Sequence, residues 1–314
     1  MPDPQVAPAA GNNRGAVAAL CSGLRRYSDA VSPRYPLISQ LAPWARQHAP
    51  LAVLTGAGIS TASGIPDYRD ADGQWKRSAP ITHQEFVGSA AVRQRYWARS
   101  MAGWPVFSAA RPNGAHQALA TLQQLGVVGP IITQNVDQLH QRAGSSNVLD
   151  LHGRLDRVLC LNCGRHYQRD TMQAWLQARN PGWHTWSDQI APDGDADIDN
   201  ADFAAFRVPS CPRCGGVLKP GVVFYGGMLA AGVRADAERR VVSAGALLIV
   251  GSSIMIGSAH RLVRVALQHG LQVAAVNQGH TRVDATLALK LTADCSEVLQ
   301  QLAQQLQPAV AAKA

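Results

Sequence analysis

A chain of 314 residues with 46% hydrophobic content has the length for one large domain, or a large domain with a small satellite. Its formal net charge is +8, and all but four of its 29 basic residues are arginine, a skew that reads as a GC-rich genome. The basic residues come as short pairs (Arg25-Arg26, Lys76-Arg77, Arg239-Arg240) with no long run and no RNA-binding aromatic motif. That excludes a nucleic-acid tract and leaves a solvated basic surface, so no direct nucleic-acid partner is expected.

Residues 1–35 read as a flexible N-terminal arm, starting MPDPQVAPAAGNN without a basic segment followed by an apolar one. Arg14, Arg25, Arg26 and Arg34 lie in an acid-poor stretch, so a mitochondrial presequence stays open beside a cytoplasmic location. Residues 36–48 predict a helix with Leu37, Ile38, Leu41 and Trp44 inward. Leu51–Thr55 is a short apolar run ending at glycine, and Ile131–Thr133, Val148–Leu151, Val222–Phe224, Ala246–Val250 and Gln272–Val276 repeat it. Helix-like segments lie between, among them His116–Leu125, Gly232–Ser243 and Ala259–His269. Short buried strands alternating with helices predict a mostly parallel α/β sheet. Residues 69–110 and 156–216 interrupt the alternation and read as insertions. Val241–Ala259 carries no charge and is long enough to span a bilayer, but its Gly245, Gly251-Ser252-Ser253 and Gly257-Ser258 suit a strand running into a turn. A soluble protein with no membrane partner is expected.

Six segments carry chemistry. Gly56-Ala57-Gly58-Ile59-Ser60 follows the first strand, where glycines let backbone approach a pyrophosphate. Ser63-Gly64-Ile65-Pro66-Asp67-Tyr68-Arg69 then makes a proline-fixed polar loop, a lid over a dinucleotide. Gln134-Asn135-Val136-Asp137 sits at the carboxyl end of a strand, where open α/β sheets bind ligands, and its side chains suit ribose hydroxyls and an amide. Capping of a helix explains Asn135 or Asp137 but not all three polar residues. His152, at a strand end beside Gly153, is placed as a general base, whereas His140 reads as packed on its helix. Gly251-Ser252-Ser253 and Asn277-Gln278-Gly279 follow further apolar strands and fit loops on the same sheet edge.

Of six cysteines, four form two C-x-x-C pairs, Cys160 with Cys163 and Cys211 with Cys214, each pair followed by glycine. Two such knuckles suit one closed, structural Zn²⁺ held by four thiolates in a reducing compartment. The Asp193, Asp195, Asp197, Asp199 alternation between them lacks the glycine and glutamate of a calcium loop and reads as a solvated acidic loop.

Taken in order, the motifs resemble those of the sirtuin family: G-A-G-I-S-x-x-S-G-I-P-D-Y-R, T-Q-N-V-D-x-L-H-x-x-A-G, L-H-G, the four cysteines, V-V-F-Y-G, G-S-S and N-x-G, over residues 36–306. Within it the chain is most similar to class II, mitochondrial-type members, through Arg95–Arg99, Ala191–Asp195 and Leu218–Gly226, and it reads as a bacterial member. The resemblance implies a Rossmann-like domain over 36–68, 111–155 and 217–308, a helical insertion over 69–110 and a zinc-binding small domain over 156–216. It implies an NAD-dependent protein-lysine deacylase, with an acyl-lysine peptide and NAD bound in the cleft between domains. Gly56, Ala57, Gly58, Tyr68 and Arg69 would hold the dinucleotide; Gln134, Asn135 and Asp137 would surround the nicotinamide ribose; Ser252, Asn277 and the backbone near Cys295 would hold the adenosine end. Val223 would accept the acyl-lysine amide proton, and the peptide would add as a strand between Tyr225-Gly226 and Ile254–Ile256. The acyl oxygen would attack C1′ as nicotinamide leaves. His152 would then deprotonate a ribose hydroxyl, giving free lysine and O-acyl-ADP-ribose.

The family's usual acidic residue is replaced by Gly227, and its usual proline after G-S-S is missing at Gly257-Ser258. Tyr96 and Arg99, on one face of a helix, match a pair that favours acidic acyl chains in some class II members; Arg99 pairing with a surface acid is the competing reading. Mono-ADP-ribosyltransfer from the same NAD site remains the alternative activity, and an idle NAD-sensing module is disfavoured by the Asn135, Asp137 and His152 set. The host compartment follows from the source: cytoplasm in a bacterium, mitochondrial matrix in a eukaryote.

Overall fold

The computed structural model describes residues 38–68, 70, 76, 80–183, 190–196, 198 and 202–307; the expected arm and Arg69 lie outside them. Helix α1 (Ile38–Gln47) precedes strand β1 (Leu51–Thr55). Helices α2 (His83–Gly88) and α3 (Ala90–Ala109) fill the first interruption, and α4 (Gly114–Gln124) returns the chain to β2 (Val128–Thr133). Helix α5 (Leu139–Arg142) and strand β3 (Val148–Asp150) follow. The second interruption holds β4 (Gly153–Cys160), β5 (His166–Gln168), α6 (Arg169–Arg179) and β6 (Leu218–Val222). The chain then alternates through α7 (Ala231–Val242), β7 (Ala246–Val250), α8 (Gly257–Gln268), β8 (Gln272–Val276), β9 (Leu289–Leu291) and α9 (Cys295–Leu306).

The main sheet runs β3-β2-β1-β7-β8-β9 with every pair parallel. Every residue of β1 and β7 is buried, as expected for central strands with helices on both faces. On one face Ala52, Leu54, Leu247 and Ile249 pack against Val241 of α7 and Leu262 and Val263 of α8. Side chains set the helix starts. Thr82 and Glu85 form a capping box on α2, Asn113 caps α4, and Asp294 accepts the Ser296 and Glu297 N–H groups of α9.

The second sheet, β5-β4-β6, is antiparallel. This corrects the expectation that Val222–Phe224 continues the parallel sheet: the strand is Leu218–Val222 and it pairs with β4. As an edge strand it tolerates Pro220, which has no N–H to give to a further neighbour. The small module therefore begins at Gly153 and ends at Val222, outside the expected 156–216. Tyr96 and Trp97 of α3, Phe86 of α2 and Phe224 form an aromatic core against Val158 and Leu218 of this sheet. Arg169 is fully buried there, its guanidinium 4.8 Å from the Trp104 ring centroid and donating to the Ser100 carbonyl at 2.9 Å. Strand β9 had no counterpart in the sequence reading, because Leu-Lys-Leu is too short to show periodicity.

Candidate active site

From β1 the sheet grows outward in both directions, to β2 and β3 on one side and β7, β8 and β9 on the other. The loops after β1 and β7 therefore diverge, leaving a crevice at the strands' carboxyl ends. Gly56 N–H donates to the Val250 carbonyl at 3.1 Å, and Gly58 N–H to the Gly251 carbonyl at 2.9 Å. Gly251 has φ +60° and packs so closely on the Ile59 nitrogen that a Cβ has no room. A cavity of about 630 Å³ opens over these loops.

Most of the residues expected around the dinucleotide line this cavity. They are Gly56, Ala57 and Gly58; Asp67 and Tyr68; Gln134, Asn135 and Val136; Gly251, Ser252 and Ser253; Asn277, Gln278 and Gly279; and Cys295. Ile59, Ser60, Pro66 and Asp137 do not. Ile59 and Ser60 are buried beneath the loop. Met255, from the expected Ile254–Ile256 edge, lines the cavity, and so do Thr61, Ser258 and Asp294, for which the sequence predicts no contact. Asp294 was hidden by its other use as the cap of α9.

His152 projects from the turn between β3 and β4. Gly153, at φ +81°, lets that turn close against the Gly221 carbonyl, and the Val223 N–H donates to the His152 carbonyl at 2.8 Å. The imidazole is held at both nitrogens. Nδ1 lies 3.0 Å from the Gln134 carbonyl, which only accepts, so Nδ1 carries the hydrogen. Nε2 is then the free lone pair, and the Ser258 hydroxyl donates to it at 2.8 Å. Burial pushes the His152 pKa below the ordinary histidine value, partly offset by the Gln134 carbonyl. The ring is thus a neutral base near pH 7.

Behind it lies a polar network. Gln134 Nε2 donates to the Thr55 carbonyl at 3.2 Å and to Ser252 Oγ at 2.8 Å, tying three strand ends together. Asn135 Nδ2 donates to the Gly56 carbonyl at 3.1 Å and to Ser60 Oγ at 3.0 Å. Both amide hydrogens are committed, so Oδ1 is what Asn135 has left for a ligand. Ser60 Oγ in turn donates to Asp137 Oδ2 at 2.8 Å, while Asp137 Oδ1 accepts the Leu139 N–H at 2.9 Å. Burial raises the Asp137 pKa, and these hydrogen bonds oppose the rise. Asp137 therefore supports Asn135 through Ser60 and does not itself line the cavity. His140 is buried, 2.9 Å from Thr55 Oγ1 and edge-on to His116, as a packed histidine should be.

On the other wall Val222, Val223, Phe224, Tyr225 and Gly226 face Met255 and Ile256 across the cavity. The Tyr225 carbonyl already accepts from His83 N–H at 2.8 Å and the Gly226 carbonyl from Gln84 Nε2 at 3.1 Å, so a peptide strand would pair through other main-chain groups. Lys219 is buried with its ammonium 4.3 Å from the Phe224 centroid, donating to the carbonyls of Pro220 (3.1 Å) and Val222. Burial lowers its pKa to about 8.

The expected Tyr96–Arg99 acyl contact is absent from the cavity wall. Tyr96 is buried edge-on to Phe86 (5.4 Å) and Phe224 (5.3 Å). The charge of Arg99 acts on Asp195, and the Ala196 N–H donates to the Arg99 carbonyl at 3.0 Å. The loop expected to be solvated is therefore packed on α3. Asp195 is 5% exposed with its pKa raised by burial, and Asp193 lines the cavity. Asp197 and Asp199 lie outside the described residues.

The four cysteine sulfurs lie within 4.8 Å of one another, Cys160 to Cys214 at 3.5 Å and Cys163 to Cys211 at 3.9 Å. A tetrahedral zinc with 2.3 Å bonds sets sulfurs roughly 3.8 Å apart, so the cluster fits a closed structural zinc. Each knuckle turns through its glycine: Gly164 N–H donates to the Cys160 carbonyl at 3.0 Å and Gly215 N–H to the Cys211 carbonyl at 2.8 Å.

A parallel sheet with a switch-point crevice, a neutral histidine base in it and a four-thiol module beside it define an α/β enzyme of the dinucleotide-using class. The Sir2 family model matches residues 56–258. An NAD-dependent protein deacetylase of Bordetella bronchiseptica is 54% identical over 249 residues, 79% of this chain and 91% of that protein. One from Xanthomonas axonopodis pv. citri is 52% identical over 256 residues, 81% of this chain and 86% of that protein. A solved Sir2 homologue–ADP-ribose complex aligns with TM-score 0.68 at 31% identity, covering 88% of this chain and 98% of that one. A Sir2–p53 peptide–NAD⁺ complex aligns at 0.67 and 28%, covering 85% and 98%. The chain belongs to the Sir2 family.

Proposed function

We propose that this chain is an NAD-dependent protein-lysine deacylase, transferring the acyl group from lysine to ADP-ribose with release of nicotinamide. The observation that carries the reading is the His152 imidazole. Its lone pair is fixed on Nε2 by the Gln134 carbonyl, and it opens into the switch-point crevice between Asn135 and the Val222–Gly226 wall. The relatives named NAD-dependent protein deacetylase and the NAD⁺ and ADP-ribose complexes of the structural neighbours support it.

Bound NAD supplies an electrophilic ribose carbon and nicotinamide as leaving group. The chain's own residues do the rest. The Gly56–Gly58 backbone and the Gly251–Ser253 loop receive the pyrophosphate, and Asn277 to Gly279 the adenosine end. Asn135 presents Oδ1 to the nicotinamide ribose. The Val223 carbonyl accepts the acyl-lysine amide hydrogen. His152 Nε2 takes the proton of a ribose hydroxyl, a role typically worth ~10²–10⁴-fold, while the Gln134 carbonyl holds Nδ1–H and steadies the imidazolium that forms. Cys160, Cys163, Cys211 and Cys214 would hold a zinc that fastens the two arms of the small module. A reducing, cytoplasmic compartment keeps its four thiols available.

Incubation with NAD and an array of acyl-lysine peptides tests the reading. Free lysine and O-acyl-ADP-ribose, identified by mass, are the expected products. ADP-ribosylated protein in their place would establish the transferase alternative.

A further inference from the structure

A smaller cavity of about 260 Å³ opens beside the main one and shares Gly227, Leu229, Gly257 and Ser258 with it. Its floor is apolar: Leu151, Ala237 and Leu262 are buried there. Its rim is basic, with Arg234 from α7 and Arg261 from α8, and Met228 stands 85% exposed at the mouth. The two helices bear five arginines (Arg234, Arg239, Arg240, Arg261, Arg264) against two acids. Asp236 is engaged by Arg239 and Arg240, and Glu238 by Arg261 at 2.5 Å. Both acids are thus spent on neighbouring arginines, and Arg234 makes no ion pair among the described residues. The connecting loop adds no acid, because Gly227 stands there.

We propose that this rim docks an acidic side chain of the protein substrate, carried in the segment flanking the acyl-lysine. The inference rests on the deacylase reading, which seats the acyl-lysine along Val223–Gly226. A chain leaving that wall past Gly227 runs onto the small cavity. A glutamate fits its two-part chemistry. The methylene stem covers Leu229 and Met228, and the carboxylate meets the guanidinium fork of Arg234 in the bidentate geometry arginine favours. Charge complementarity at an exposed rim discriminates between substrates more than it tightens all of them.

Peptides identical except for one flanking residue, changed in turn to Glu, Gln or Lys, test this on the full chain. Binding is read by fluorescence polarisation in the presence of ADP-ribose, and turnover with NAD. At one or two adjacent positions Glu is expected to bind about two- to fivefold more tightly than Gln, with Lys weaker than both. Added salt should shrink the difference. Arg234→Gln should abolish the preference and Arg234→Glu invert it, with kcat on the Gln peptide and the melting temperature unchanged. A wild type that does not distinguish Glu from Lys at any position overturns the dock, as does a preference that survives Arg234→Glu. Preferential binding of the acidic peptides without turnover of any acyl peptide would instead overturn the deacylase reading and support the dock.

Discussion

The imidazole of His152 and the hydroxyl of Ser258, 106 residues apart in sequence, meet at 2.8 Å. The bond has a defined polarity, because Nδ1–H is spent on the Gln134 carbonyl and only Nε2 can accept. The turn between β3 and β4 and the first turn of α8 are thereby joined at the one atom that must receive a proton. His152→Ala should keep NAD binding and exchange of labelled nicotinamide into NAD, both of which precede proton removal. Deacylation should fall by about 10²–10⁴-fold. Deacylation at the wild-type rate would refute the assignment.

Burial lowers the His152 pKa, so the base stays neutral, and competent, below pH 6.5. The acid limb of kcat/KM should have its midpoint below that value. Activity is lost as pH falls through the shifted pKa, when the lone pair is protonated. A midpoint at or above 6.5 contradicts the buried, neutral base.

Stability should carry a second histidine signature. His116 is fully buried and burial lowers its pKa to about 4, while in the unfolded chain it titrates near the ordinary 6.5. Between these values the unfolded state binds more protons, so stability is lost as pH falls through that window, by about 3 kcal/mol for this group. The raised carboxyls of Asp137 and Asp195 act in the opposite sense. The comparison is therefore with His116→Gln. Its denaturant-measured stability should be lower at pH 7.5 and fall less steeply toward pH 4.5. Equal slopes would show that His116 does not titrate on unfolding.

Cys163 is an exposed member of a cluster whose sulfur spacing suits zinc. Metal analysis should find one zinc per chain, and Cys163→Ser should lose it. The melting temperature should drop by about 5–10 °C. Deacylation should fall as well, because β4 and β6 carry a knuckle at one end and His152 or Val222–Val223 at the other. Retained zinc in the variant would move the site elsewhere.

Arg99 acts on Asp195 and is not part of the cavity wall. Arg99→Ala should therefore cost stability, by removing a charge that partly opposes the burial penalty on the Asp195 carboxyl. It should leave the ratio of glutaryl-lysine to acetyl-lysine turnover unchanged. A selective loss of glutaryl turnover would restore the acidic-acyl reading.

What sequence alone determined were features written in local chemistry. The glycine loops after β1 and β7, the Gln134–Asp137 run, His152 and the two cysteine knuckles are contiguous motifs whose spacing already contains their geometry. The parallel sheet was legible because strands buried on both faces read as unbroken apolar runs. Tertiary structure decided what depends on partners far apart in the chain. Val222–Phe224 looks like one more parallel strand until Leu218–Val222 is found paired antiparallel with β4. Asp137 looks like a wall of the ribose site until burial is found to set it behind Asn135, with Ser60 bonded to both. Asp195 looks solvated until α3 buries it, and Ser258 looks like a substituted proline until it reaches His152. Burial and long-range hydrogen bonding are properties of neighbours in space, and a linear pattern records only neighbours along the chain.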